Sequence, residues 1–311
     1  MRYGEFDLEQ REYVITDPRT PVKWINYIGT RQFGGFVDHT GGALICKDDP
    51  TFNRITKYLQ QMPASDFKGE TLYLRLHTSA GYQVYSPFFV PSLNPLDRFE
   101  CRVGPGYTRL VTEGCGLRAE VTIFVPPGDL CELRDIQVTN LSSAPLTVDA
   151  VPVVEFTHPD ALKQFTNADW VPQTMQCHAA QVDGLTILLQ YPFMHRDRQV
   201  NLFSASLPAS SYETDRRRFL GENEYGSFRQ PLSLLQPELS SQPALRGDTL
   251  AALQQTQGNE QSGETRRLIT RLGQSPSLAA AESDIRRCRQ PQTVAAGLAE
   301  LRAFWDAYFA T

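Results

Sequence analysis

Cleaving a glycosidic bond takes an acid at the leaving oxygen and a base, nucleophile or external nucleophile at the anomeric carbon, so paired carboxylates come first. Glu155, Asp160, Asp169, Glu222 and Glu224 lie near aromatic residues. Glu155 closes an apolar run, and Glu222 and Glu224 sit in a turn-like Gly-Glu-Asn-Glu-Tyr-Gly, so strand-end and turn roles account for them better than catalysis does. The richest segment runs from His158 to Thr174 and holds Lys163, Gln164, Asn167, Asp169 and Trp170. Planar polar groups bond vicinal sugar hydroxyls, and an aromatic face covers the C–H surface of the ring. This segment has both ingredients, though a polar loop with a packing tryptophan has the same composition. Arg216, Arg217 and Arg218 are suited to holding an anion or a carboxylate partner, or to a salt-bridged surface.

Other chemistries find less support. Gly29, Gly34 and Gly35 lack both the Lys-Ser/Thr of a P-loop and G-x-G-x-x-G spacing, so they read as turns, as do Gly104 and Gly106. No G-x-S-x-G elbow occurs, and no catalytic residue is assigned. Cysteines at 46, 101, 115, 131, 177 and 288 show no C-x-x-C spacing, and the five histidines show no H-E-x-x-H or H-x-H. No metal site is expected, and the cysteines read as reduced thiols, most of them buried.

The elements that must position these residues are mostly β-strands. Leu72, Leu74 and Leu76 alternate with Tyr73, Arg75 and His77, the period of a half-buried strand. Val121, Ile123 and Val125 repeat it. Residues 146–156 are apolar on both faces, as in a central strand between layers, and 185–189, 202–207 and 268–272 add candidates. Pro126-Pro127-Gly128-Asp129, the stretch 140–143 and Asp183-Gly184 are turn signals. Many short strands with turns between them, and no βαβ alternation, predict an antiparallel sandwich. Residues 236–263, rich in Gln, Ser, Pro and Gly, read as long loops, with 258–263 an exposed turn.

After Gly273 the period changes. Ser275-Pro276 marks a helix start, and Leu278, Ala281, Ile285 and Cys288 share one face. Gln290-Pro291 interrupts. A second helix from about Thr293 aligns Val294, Leu298, Leu301, Trp305 and Tyr308, flanked by Phe304 and Phe309. So wide an aromatic stripe predicts a contact surface at Leu298, Leu301, Trp305 and Tyr308. Its occupant is the chain's own sandwich, a second copy or another domain.

Composition bounds the rest. The 311 residues are 41% hydrophobic and 21% charged, ordinary globular usage. Thirty basic against 35 acidic side chains give a net charge of −5, without the basic excess of a general nucleic-acid binder. No apolar run approaches the ~20 residues of a membrane span. The first residues lack the apolar core of a signal peptide, so the expectation is a cytoplasmic protein.

The order of several motifs carries more. Phe6-Asp7, residues 11–21, Trp24-Ile-Asn-Tyr27-Ile-Gly29, Gly41-Gly42, Asn53-Arg-Ile-Thr-Lys57, Glu100-Cys-Arg-Val-Gly104-Pro-Gly-Tyr107-Thr-Arg109, Phe124-Val-Pro126, Val153-Val-Glu-Phe156 and Gly263-Glu264 run along nearly the whole chain. This series resembles the N-terminal part of the inverting glycoside phosphorylases of the cellobiose, cellodextrin and chitobiose phosphorylase family. These were once grouped as glycosyltransferase family 36 and are now placed with glycoside hydrolase family 94. The resemblance implies a galactose-mutarotase-like antiparallel β-supersandwich over 1–272 and a helical linker over 273–311. It also implies that the catalytic Asp and the phosphate-binding residues belong to an (α/α)6 barrel without counterpart here. Phosphate is then a co-substrate of the full-length family only, and this chain needs no cofactor. In family members that dimerise, a sandwich loop helps form the partner's acceptor subsite. By position that loop is 163–170, which places Lys163, Gln164, Asn167, Asp169 and Trp170 beside a β-linked oligosaccharide. Its residues depart from the Gln-Arg pair of cellobiose-type members, which points away from a plain cellobiose acceptor.

Three readings follow. One is a non-catalytic module that pairs as a homodimer or with a barrel chain. The second is a free carbohydrate-binding protein, which a preformed aromatic groove edged by Trp170 would favour. The third is a self-sufficient glycosidase, which two facing carboxylates about 5–10 Å apart in a cleft would favour.

Overall fold

The computed structural model describes residues 3–166, 170–195, 198–221 and 225–310. Its largest sheet has ten antiparallel strands. In spatial order these are β1 (Gly4–Asp7), β2 (Glu12–Ile15), β8 (Arg98–Gly104), β9 (Tyr107–Gly114), β10 (Leu117–Phe124), β11 (Cys131–Asn140), β18 (Thr265–Ser275), β15 (Val200–Ala205), β14 (Leu185–Pro192) and β13 (Met175–Val182). A second sheet of five runs β16 (Ser211–Asp215), β17 (Thr249–Glu260), β12 (Leu146–Glu155), β6 (Glu70–Thr78) and β7 (Gly81–Tyr85). A three-stranded sheet of β3 (Ile25–Gly29), β4 (Phe33–Asp38) and β5 (Ala43–Lys47) completes the β-structure.

One core lies between the sheets. Leu110, Ala119, Val121 and Ile123 of the large sheet meet Leu72, Leu74, Ala150 and Leu253 of the five-stranded one, with Phe33 and Ile45 closing the end. Period-two alternation produces this layer, as expected from the sequence. The reading of 71–77 as half-buried does not hold. Every residue of β6 from Glu70 to Leu76 is buried. The cause is the segment 216–239, whose Phe219, Leu220, Leu234 and Leu239 lie on the outer face of the small sheet against Tyr73, Val151 and Val153. The loop reading of 236–263 also fails over its second half, which is strand β17, paired on both sides by β12 and β16. Buried glutamines hide its alternation: Gln254 donates to Pro237 O and accepts from Ser211 Oγ. The turn after it falls at 261–264, where Gln261 N donates to Glu264 Oε2.

Two helices cover the outer face of the large sheet. α3 (Leu278–Cys288) starts two residues later than Ser275-Pro276 suggests, because Ser277 caps it by accepting from Ala280 N. It buries Ala281 and Ile285 on Ile187, Leu189 and Leu202. In α4 (Pro291–Phe309) the proline stands in the first turn and opens the helix. Val294 and Leu301 are buried against Tyr107, Phe124, Leu133 and Ile269, with Leu298 and Trp305 partly buried beside them. Gly106, at φ +75°, lets this happen: a Cβ there would lie 2.8 Å from Trp305 Nε1 and 3.2 Å from Leu301 Cδ1. Of the four residues expected at a contact surface, Leu301 therefore faces the chain's own sandwich. Tyr308 stays open at 61% exposure, with Phe304 and Phe309 beside it. No helix among the described residues is long and apolar enough to cross a membrane.

Candidate functional site

Strand β12 ends at Glu155, where the chain leaves the sheet for the loop that begins at Thr157. The exit is fixed by backbone pairing: Glu155 N donates to Gly69 O, Lys57 N to Glu155 O and Thr157 N to Ile55 O. Two cations then converge on one carboxylate oxygen. Lys57 Nζ and Arg216 Nε each lie 3.1 Å from Glu155 Oε1. Lys57 also reaches Asp248 Oδ1 at 3.3 Å. Arg216 opens the short helix α2 (Arg216–Leu220; α1 is Ala161–Thr166), which Asp215 caps by accepting from Arg218 N. The negative charge of Glu155 raises the pKa of the Lys57 ammonium above its ordinary value.

Lys57, Glu155 and Arg216 line a cavity of about 550 Å³. Its apolar wall is Phe67 stacked on Phe228, ring centroids 4.2 Å apart, with the Arg216 guanidinium 5.4 Å over the Phe228 ring. Ser65, Asp66 and Arg229 complete the rim. An apolar wall beside convergent polar groups is the make-up of a small-molecule site. Both cations bind the same carboxylate oxygen, so Glu155 ties Lys57 and Arg216 together at the end of β12.

The sugar-contact residues expected from sequence are elsewhere, or unplaced. Lys163 is exposed, its Nζ 3.9 Å from Asp160 Oδ2, and Trp170 is half exposed just before a 3-10 turn at Val171–Thr174. Neither lines the cavity. Asn167 and Asp169, the side chain of Gln164, and Glu222 and Glu224 lie outside the described residues. The three arginines part company. Arg216 joins Glu155, while Arg218 is structural, bonding Glu213 Oε1 and the carbonyls of Gln242 and Pro243. Arg217 lines a second cavity of about 480 Å³, beside Arg218, with Gln173, Arg246 and Asp248. Sequence reasoning missed Phe67, Phe228 and Asp248, which no local pattern sets apart. The pairing of β12 with β6 and β17 brings Phe67 and Asp248 near Glu155, and packing on the outer face of that sheet adds Phe228.

All six cysteines are free, and four are buried. Among the described residues one group could hold a metal ion: Asp129, Cys131 and Cys288.

Two antiparallel sheets over one core, with helices on the outer face of the larger, define a β-supersandwich module. A family model described as "Glycosyl hydrolase 94, supersandwich domain" matches residues 11–291, and the chain belongs to that family. It is 30% identical over 246 residues to an N,N'-diacetylchitobiose phosphorylase of Vibrio proteolyticus, covering 78% of this chain and 30% of that protein. It is 26% identical to a solabiose phosphorylase of Paenibacillus borealis, covering 82% and 32%. The chain thus spans less than a third of the length of these relatives. A bacterial glucoamylase solved with acarbose superposes with a TM-score of 0.51 at 8% identity, over 85% of this chain and 35% of that one, a likeness of fold.

Proposed function

We propose that this chain is the non-catalytic supersandwich module of a glycoside phosphorylase acting on β-linked gluco-oligosaccharides. It supports dimerisation and the acceptor subsite of an (α/α)6 barrel. The family match over 11–291, within relatives named as phosphorylases, carries the reading. The loop 163–170 serves the acceptor, and the exposed Phe304, Tyr308 and Phe309 serve the partner surface.

The test is an assay of the purified chain with inorganic phosphate and a panel of β-linked disaccharides, including diacetylchitobiose. No sugar 1-phosphate and no hydrolysis above a denatured control is the expected result. Turnover by the chain alone would overturn the proposal.

The cavity at Glu155 favours one further reading, that the module itself holds a sugar. Its apolar wall and planar polar rim suit a β-linked oligosaccharide, and calorimetric titration with such an oligosaccharide tests it.

A further inference from the structure

The turn Pro126–Asp129 delivers two side chains to one spot under the helices. Asp129 N donates to Pro126 O, closing the turn, and two residues on Cys131 begins β11. Cys288 is the last residue of α3, 157 positions from Cys131, yet the two sulfurs are 4.0 Å apart. Both cysteines are 1% exposed. One carboxylate oxygen of Asp129 joins them, with all three atoms within 4.8 Å of one another.

Two observations separate this cluster from chance neighbours. Asp129 is held from behind: Arg287 Nη2 donates to its Oδ1 at 2.7 Å, while Oδ2 is buried with no hydrogen-bond partner among the described residues. Arg271 is the second. It is 5% exposed, and its Nε and Nη1 are buried with no acceptor among the described residues. Its guanidinium folds over Gly273, 2.8 Å from where a Cβ would stand, and Gly273 is paired with Cys131. A buried guanidinium without an acceptor calls for a nearby anion, and the two sulfurs become anions when they ligate a metal.

We infer that Asp129, Cys131 and Cys288 form a binding site for a thiophilic divalent cation of the zinc class, which fastens the helical segment to the large sheet. Zinc–sulfur bonds of about 2.3 Å in a tetrahedron set ligand sulfurs roughly 3.8 Å apart, close to the 4.0 Å found here. The Arg287–Asp129 contact is the outer support that ligating carboxylates have, and Arg271 neutralises thiolate charge. A water supplies the fourth position. Binding releases two thiol protons and couples to folding, because the ligands come together only in the native chain.

The experiment uses the full chain with its thiols reduced. Zinc content is measured after dialysis against one equivalent of Zn²⁺, and Co²⁺ is added to a second sample as a spectroscopic probe. About one zinc per chain, a thiolate-to-cobalt charge-transfer band and tetrahedral d–d bands are expected. Cys131→Ser and Cys288→Ser lose the charge-transfer intensity, and Asp129→Asn weakens zinc binding about 10-fold while leaving both thiols. Zinc raises the melting temperature of wild type and of neither serine variant. Circular dichroism checks that each variant folds, and Asp129→Asn keeps the test open if a serine variant does not. No metal uptake, equal uptake by the folded variants, or a Cys131–Cys288 disulfide in place of bound metal would each overturn the inference.

Discussion

Arg75 and Asp149 face each other across β6 and β12, with Arg75 Nε 2.7 Å from Asp149 Oδ2 and both side chains wholly enclosed. The guanidinium does more than pair. It also donates to the carbonyls of Leu234, Gln236 and Pro237, so one ion pair ties the covering segment to the sheet. His77 Nε2 shares the same carboxylate oxygen at 2.9 Å.

Removing Asp149 leaves the Arg75 charge buried without its counter-charge. Asp149→Ala should therefore cost roughly 3–5 kcal/mol in urea unfolding. Replacing both partners by apolar residues, Arg75→Met with Asp149→Leu, should cost less than the single change. A double variant as unstable as the sum of the singles would show that the carbonyl contacts of Arg75 dominate.

At the cavity, Glu155→Gln removes the charge that Lys57 and Arg216 share. Lys57 then keeps Asp248 as an ion-pair partner while Arg216 loses its contact with Glu155, and stability should fall by about 1–3 kcal/mol. Phe228→Ala should weaken any bound β-linked oligosaccharide several-fold in calorimetric titration, with Lys163→Ala having a smaller effect. Equal effects of the two changes would place the sugar nearer the loop than the cavity.

The helix end separates two roles. Trp305 is partly buried over Gly106, so Trp305→Ala should lower the melting temperature as well as self-association. Phe309→Ser, at a residue 55% exposed, should weaken association without loss of stability, interface aromatics being worth about 2 kcal/mol or more where they anchor. Sedimentation at several concentrations reads the first effect and thermal melting the second. Wild type that stays monomeric throughout would remove this surface from consideration.

Glu260, at the end of β17, is buried, and neither carboxylate oxygen has a hydrogen-bond partner among the described residues. Burial raises its carboxyl from 4.5 to about 7. Below about pH 4.5 both folded and unfolded chains hold the proton and nothing changes. Between about 4.5 and 7 the unfolded chain ionises first, so stability falls as pH rises, and above 7 the loss is complete. Glu260→Gln should flatten that fall and stabilise the protein at about pH 8 by roughly 1–2 kcal/mol. Urea melts at about pH 4 and pH 8 decide it: a gain at both would point to packing instead.

The strands were readable where one face met the core and the other met water or a sister strand. Val121 and Ile123 alternate, and β12 shows an apolar run on both faces. Arg75 misled for a physical reason. A charged residue at an alternating position reads as solvent-facing, and the sequence carries no sign that residues 216–239 return to cover it. Glutamines at 254 and 255 concealed β17 in the same way, since their partners are contributed by distant segments. The site followed that pattern. Glu155 and the arginines were visible as chemistry, whereas Phe67, Phe228 and the meeting of Cys131 with Cys288 depend on contacts between segments far apart in the chain.

Strand β18 occupies the middle of the ten-stranded sheet, between β11 and β15, though it follows the other nine strands of that sheet in the chain. Until residues 265–275 leave the ribosome, the strands on its two sides have no common neighbour. Thr139 and Thr265, whose hydroxyls meet at 2.8 Å across this junction, are 126 residues apart. Closing so long a loop is slow, and the open edges of β11 and β15 stay exposed until it happens. Vectorial synthesis thus leaves the edge of β11 open to aggregation while residues 141–264 are made, and strand β18, which ends that exposure, leads directly into the two helices that cover the sheet.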